Sequence, residues 1–254
     1  MLSLTRVSKH FSGLAALSEV SFTMREGSIK GLIGPNGAGK TTLFNTITGV
    51  YRPTSGSIAL SGRDITGLNE EVIACLGVSR TFQQAKVFYS LTALENVLVG
   101  RHYRSRSGFM ACGFGLHSSR REEREMREKA MHYLAFMGLA KRWDRVAHEL
   151  PIGEQRWLEV ARALATEPRL LLLDEPTAGL NERETEDFKK IVFGIRDSGV
   201  TILVIEHHMK FIMEVCDEIA VLNFGVKIAE GRPDEIQHSP EVIAAYLGAE
   251  EDDD

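Results

Sequence analysis

An α/β fold is predicted, with a mixed, mainly parallel sheet, an antiparallel β flank and an inserted helical subdomain. Three observations predict it. Short β-branched or apolar runs alternate with helical stretches through the carboxyl half, similar runs at hairpin-like spacing occupy the amino end, and strand signals vanish between about Lys86 and Ala165. The 254 residues, 43% of them hydrophobic, suffice for one large domain carrying an insertion. The expected organisation is a single domain over residues 1–254. Its core takes 1–85 and 166–254, its helical subdomain 86–165, and an acidic tail covers 249–254.

Taken in order, Leu2–Val7 and Val20–Met24 are the first strand candidates. Ser28–Ile33 (SIKGLI) is short, β-branched and apolar, and it runs into GPNGAGKTT and the helical LFNTITGV, giving strand, glycine-rich turn and helix. Ser57–Leu60 and Val78–Phe82 follow as strands. Leu170–Leu173, Thr201–Ile205 and Glu218–Leu222, separated by helical patterns, predict a parallel sheet with crossover helices. Within the insertion, SSRREEREMREKAMHYLAFMGL has mixed charges and then apolar positions at helical spacing. Its arginines, from Arg101 to Arg127, interleave with Glu122, Glu123, Glu125 and Glu128, which predicts a solvated, ion-paired face rather than a site for RNA or lipid head groups. Leu150–Gln155 (LPIGEQ) sets Pro151 and Gly153 directly before the helical RWLEVARAL, and proline fits a helix's first turn.

A net charge of −5 and a pI near 5.9 give no basic footprint, so no nucleic-acid partner is expected. Cys75, Cys112 and Cys216 are widely spaced without a CxxC pair, as reduced thiols would be. The opening MLSLTRVSKHF lacks the apolar stretch of a secretory signal, and no run of about 18 uncharged apolar residues exists. Neither a leader nor a membrane span is predicted.

Gly34-Pro35-Asn36-Gly37-Ala38-Gly39-Lys40-Thr41, followed by Thr42, matches GxxxxGK[ST] without substitution and in the strand-to-helix setting the motif requires. The glycines let the backbone wrap closely enough for several N–H groups to face phosphates, and the helix dipole adds positive potential there. Lys40 brings a full charge to the β- and γ-phosphates, and the Thr41 hydroxyl is a ligand for Mg²⁺. The expected ligands are therefore a nucleoside triphosphate and Mg²⁺. Leu170–Leu173 is an apolar run ending in Asp174 and Glu175, which sets two carboxylates at the carboxyl edge of a buried strand, where open α/β sheets bind ligands. Asp174 is the expected metal partner and Glu175 the expected water activator. His207, closing TILVIEH, stands at the same edge as a hydrogen-bond partner for a γ-phosphate, with His208 the weaker candidate.

Taken together, GPNGAGKTT, TFQ (Thr81–Gln83), LPIGEQRWLEVARAL, LLLDEPTAGLN and VIEH resemble, in order and spacing, the nucleotide-binding subunit of an ATP-binding cassette transporter. RTFQ, LTALENVLVG, the arginine-rich insertion and GRPDEIQHSPEVIAAYLG look most like the ATPase subunits of bacterial branched-chain amino acid importers. The resemblance implies ATP as the nucleotide, a P-loop NTPase core and a set of roles. Phe11 matches the aromatic that stacks on adenine. Gln83, with Gln84 beside it as the alternative, matches the glutamine that senses the metal and the attacking water. Asp174 matches the magnesium carboxylate, Glu175 the catalytic base, Ala178-Gly179-Leu180-Asn181 the loop that crosses the dimer interface, and His207 the switch histidine. Pro151, Ile152, Gly153, Glu154 and Gln155 fall at the signature that caps the γ-phosphate held by a partner subunit. Pro151 stands there in place of a serine, Ile152 in place of a glycine, and Glu154 where glutamine is common. The implied partners are a second cassette, expected to be non-identical, two transmembrane permease subunits and, indirectly, a substrate-binding protein. The implied location is the cytoplasmic face of the inner membrane. Import of urea or another small amide, and a soluble cassette acting on nucleic acid or the ribosome, are the alternatives.

Overall fold

The computed structural model describes residues 1–82, 86–102 and 117–250, which fall into two compact units. The first comprises Met1–Arg80, Arg169–Thr177 and the chain from Val192 onward; the second comprises Thr81–Pro168 and Ala178–Ile191.

In the first unit, β1 (Leu2–Phe11) and β2 (Leu14–Met24) pair as a hairpin, and β4 (Ser55–Leu60) and β5 (Arg63–Asp64) extend the sheet in the antiparallel order β2-β1-β4-β5. β1 outruns the expected Leu2–Val7 because register shifts near Val7 and Lys9 break the alternation while pairing continues to Phe11 opposite Leu14. The second sheet has the order β10 (Val226–Gly231), β9 (Glu218–Asn223), β3 (Ile29–Ile33), β8 (Thr201–Ile205), β7 (Leu170–Asp174) and β6 (Val78–Arg80). Its strands from β9 to β6 are parallel, and β10 is an antiparallel edge.

Every residue of β3, β7 and β8 is buried, which is why these segments read as unbroken apolar runs. One face of this sheet, through Leu32, Leu170, Leu172, Leu203 and Ile205, shares a core with Leu2, Leu4 and Val7 of β1 and with Leu43, Phe44 and Ile47 of α1 (Lys40–Ile47). Each fully buried leucine contributes about 1.5–3 kcal/mol. Toward the other face, a Cβ added at Gly31 would lie 3.1 Å from Cys216 Sγ and 3.4 Å from Ile212, so the chain leaves room for nothing larger. β10 is an addition to the sequence reading: it is only half-buried, and Phe224 and Gly225, both at positive φ, turn β9 back into it. Helices α2 (Glu70–Cys75), α7 (Met209–Val215), α8 (Pro233–Gln237) and α9 (Pro240–Glu250) complete the unit. Because α9 runs to Glu250, residues 249–250 are helical rather than part of a free acidic tail, and residues 251–254 lie outside the described ones.

The second unit is built on α3 (Ala93–His102), α4 (His117–Phe136), α5 (Ile152–Leu164) and the start of α6 (Glu182–Asp197). Thr92 and Glu95 cap α3 reciprocally, Glu95 Oε2 taking the Thr92 N–H at 2.8 Å and Thr92 Oγ1 taking the Glu95 N–H at 3.2 Å. α3 crosses α5 so closely that a Cβ on Gly100 would lie 2.3 Å from the Arg162 carbonyl oxygen. Arg121 and Glu125 form the expected i,i+4 pair on an exposed face, at 3.0 Å. Arg101 departs from that reading: it is buried and bonds Glu167 at 2.7 Å and the Ala165 carbonyl at 3.3 Å. The strand expected over Val78–Phe82 stops at Arg80, and the Phe82 N–H goes instead to Glu159.

Candidate functional site

β3 ends at Ile33, and Gly34–Gly39 carries the chain into α1. Gly39 is the N-cap of α1 at φ 99, where a Cβ would lie 2.6 Å from the Ala16 carbonyl oxygen. No side chain caps α1, which leaves its first N–H groups to an anion. A Cβ on Gly37, at φ 76, would meet nothing within 4 Å, so the loop is open on that side to an approaching group. Pro35 is half-buried, Asn36 exposed and Ala38 buried; Thr41 is exposed and Thr42 half-buried. Lys40 Nζ, on a buried residue, donates to the carbonyls of Gly34 at 2.6 Å and Pro35 at 2.8 Å. Burial pushes its pKa below the ordinary lysine value, against the pull of Glu175 and Asp174.

The tip of β7 faces the same loop through those charges. Asp174 is 3% exposed, and burial raises its carboxyl above the usual range while Arg80 opposes the rise. Arg80 Nη2 lies 2.7 Å from Asp174 Oδ2, Arg80 Nη1 bonds Asn45 of α1, and the guanidinium lies 5.5 Å from the centre of the Phe44 ring. Glu175 sits at φ 47, a sparsely populated conformation outside glycine, and its N–H donates to the Ile205 carbonyl at 2.9 Å. Its Oε1 is 2.6 Å from Nε2 of His207. The two residues singled out for water activation and phosphate contact are therefore partners. Phe11, at the end of β1, is partly exposed, edge-on to Tyr51 at 5.1 Å between ring centres, with Lys9 Nζ 4.8 Å above it.

In the second unit, α5 starts at Ile152, with Pro151 as N-cap and no side-chain cap. Ile152 is exposed and Gly153 buried. A Cβ on Gly153 would stand 3.1 Å from both Leu180 Cδ2 and Glu184 Oε1, so the small residue answers first to this packing. Glu154 turns to Arg142, 3.3 Å away, which offsets its charge at the front of the helix. Gln155 Nε2 donates to the Leu150 carbonyl at 2.8 Å. Ala178 is half-buried and Gly179 is exposed at φ 80. Asn181 caps α6 reciprocally with Glu184: Oδ1 takes the Glu184 N–H at 3.0 Å, and Glu184 Oε2 takes the Asn181 N–H at 2.9 Å. Gln83 and its neighbour Gln84 lie outside the described residues.

Among the described residues no group of three His, Cys, Asp or Glu side chains could hold a metal ion. Thr41 and Asp174 carry oxygen donors of the hard kind that magnesium takes when substrate phosphates and water complete its shell. The residues present fit that ion.

A family model described as ABC transporter matches residues 17–178, well over half the chain. The chain belongs to the ABC transporter family. A second model, described as branched-chain amino acid ATP-binding cassette transporter, matches residues 226–252 of this cassette, from β10 through α9. The cassette is 45% identical to the high-affinity branched-chain amino acid transport ATP-binding protein BraF of Pseudomonas aeruginosa over 98% of both chains. It is 42% identical to the corresponding LivG protein of Escherichia coli K12, again over 98% of both. Its fold matches a crystal structure of the ADP conformation of an ABC transporter cassette with a TM-score of 0.85 at 32% identity, covering 98% of each chain. The cassette is an ATP-binding transport ATPase with a P-loop NTPase α/β fold. Among the described residues, no helix is long and apolar enough to cross a membrane.

The sequence marks Arg80 and Glu206 only as members of RTFQ and VIEH, without a role of their own, and gives Glu159 no role at all. Glu159, on α5 and 2% exposed, accepts from the N–H of Phe82 at 3.2 Å and of Lys86 at 3.3 Å, the two residues that bracket 83–85. Burial raises its carboxyl above the usual range, against those amides and Arg162. A folded-state value above the unfolded one means that the cost of burying the charge is absent below the unfolded value and grows as pH rises toward the folded one. The melting temperature of Glu159→Gln relative to wild type is therefore expected to move upward as pH is raised from about 4 to about 7. Thermal melts of both proteins across that range check it, and a constant difference would contradict it.

Proposed function

We propose that this cassette powers a branched-chain amino acid importer, working at the cytoplasmic face of the inner membrane with a second, non-identical cassette, two permease subunits and a substrate-binding protein. The match of residues 226–252 to the branched-chain amino acid cassette model carries the substrate, and the Glu175–His207 pair at the tip of β7, in the same unit as the Gly34–Thr42 loop and Lys40, supports the hydrolysis.

In the proposed reaction, the free N–H groups at the start of α1 and the Lys40 ammonium hold the triphosphate. Lys40 then exchanges its bonds to the Gly34 and Pro35 carbonyls for phosphate oxygens. Thr41 and Asp174 would hold magnesium, which when bound would neutralise phosphate charge. Glu175 takes a proton from the water as the water oxygen bonds to the γ-phosphorus and the bond to the bridging oxygen breaks, leaving ADP and phosphate; His207 keeps that carboxylate aimed while contacting the γ-phosphate. Phe11 stacks on the adenine once its ring turns from Tyr51, and Gln83 senses the metal and the water. The front of α5, with Pro151–Gln155, caps a partner's γ-phosphate, and Ala178–Asn181 meets the partner cassette. Because each site takes parts of two subunits, ATP binding closes the pair and hydrolysis opens it.

The test is magnesium-dependent ATP hydrolysis by the chain co-purified with its membrane partners, stimulated by a binding protein loaded with leucine, isoleucine or valine. Stimulation by urea and not by these amino acids would reassign the substrate. A finer expectation concerns Pro151, which offers neither hydroxyl nor N–H at its place in the signature. Losing one hydrogen bond to a charged group costs about 1.5–3 kcal/mol, so Pro151→Ser is expected to raise turnover of the assembled transporter about ten- to hundredfold. An unchanged rate would make the departure silent.

A further inference from the structure

We infer that Glu206 is the positioning residue that fixes the Glu175–His207 pair, an inference that rests on the reaction proposed above. Its side chain is 3% exposed, between the end of β8 and α7, and four donors converge on it. Oε1 accepts the Thr177 N–H at 2.7 Å and the Thr177 hydroxyl at 2.6 Å. Oε2 accepts the N–H of His207 at 2.9 Å and of His208 at 3.2 Å. One carboxylate thus ties the segment two residues after Glu175 to the backbone of His207 itself.

The neighbouring bond completes the clamp. The Glu175 N–H donates to Ile205, the residue before Glu206, so residues 175–177 are held from both ends of a two-residue stretch. Glu175 needs such restraint because its φ of 47 persists only where the surroundings impose it. Its carboxylate then meets the His207 ring at 2.6 Å. Only a carboxylate serves all four donors, since it is an acceptor at both oxygens, whereas an amide accepts at one end and donates at the other. A small error in the aim of a water-activating group is expensive, about a hundredfold in rate for a misplacement near 1 Å.

The experiment measures ATP turnover and nucleotide affinity of the assembled transporter for four single variants and for the Thr177→Val/Glu206→Gln double variant. Thr177→Val removes one of the four donors, Thr177→Ser keeps both bonds from that residue, Glu206→Gln turns one acceptor into a donor, and Glu175→Gln is the control. Thr177→Val is expected to lower kcat about tenfold and Glu206→Gln about a hundredfold, with nucleotide affinity unchanged in both. Thr177→Ser retains wild-type kcat, and Thr177→Val adds nothing in the Glu206→Gln background because the two act through one contact. Wild-type kcat in Thr177→Val and Glu206→Gln overturns the inference, as does a parallel loss of kcat and affinity, which marks a merely structural carboxylate. If Glu206→Gln does not fold, the Thr177→Val and Thr177→Ser comparison decides alone. Wild-type turnover in Glu175→Gln would instead remove the proposed reaction, so the two failures are distinguishable.

Discussion

Replacing Glu175 with Gln lowers ATP turnover by about 10²–10⁴-fold while nucleotide binding persists. The substitution keeps the size of the side chain and a hydrogen-bonding partner for His207, whose Nε2 lies 2.6 Å from Oε1 in the wild type. It removes the negative charge that acts on Lys40 and Asp174, and with it the ability to take a proton. Lys40, Thr41 and Asp174 are themselves kept, as are the uncapped N–H groups at the start of α1. Binding of a fluorescent nucleotide should therefore match wild type, and the ATP-bound pair of cassettes should accumulate on size-exclusion chromatography because the step that opens it has been lost. Turnover close to wild type would remove Glu175 from its role and leave His207, at the same strand edge, as the group to test next. His207→Ala should then be the more severe variant.

The parts of the site legible in the sequence are those whose chemistry is written in consecutive residues. Gly34–Thr42 carries its turn, helix start and phosphate donors in one stretch, and Leu170–Glu175 carries a strand of buried leucines and its polar tip in another. The residues that brace the site were illegible because their partners are far away along the chain. Arg80 meets Asp174 94 residues on, Phe82 meets Glu159 77 residues on, and Thr177 meets Glu206 29 residues on. Before the fold is known, Arg80 is the first residue of RTFQ with no partner assigned, and Glu159 merely an acid in an amphipathic helix. Packing overrode local pattern elsewhere too. Gly153 reads only as part of the signature, and the structure adds that Leu180 and Glu184, in the same unit, stand against it. β10 escaped notice because a half-buried edge strand carries little alternation.

Arg80→Met should lower stability by about 3–5 kcal/mol, the usual cost of removing one partner from a buried ion pair. For a chain of this size that corresponds to a fall of roughly 6–20 °C in melting temperature. The guanidinium meets Asp174 at 2.7 Å, Asn45 of α1 and the face of Phe44. Methionine recovers the ring contact and some volume but offers no donor to either oxygen. Asp174 then keeps its burial, which already raises its carboxyl, and loses the group that most opposes the rise. The charge of Lys40 in the same loop offsets part of this, so the lower half of the range is the better expectation. Arg80→Lys separates charge from geometry: one ammonium can restore the attraction to Asp174 but cannot span Asp174 and Asn45 as the planar guanidinium does. Its melting temperature should fall between those of wild type and Arg80→Met. Equal melting of all three proteins would mean that Arg80 contributes no net stability to the tip of β7, and that α1 and β7 are held in place by the shared core beneath them.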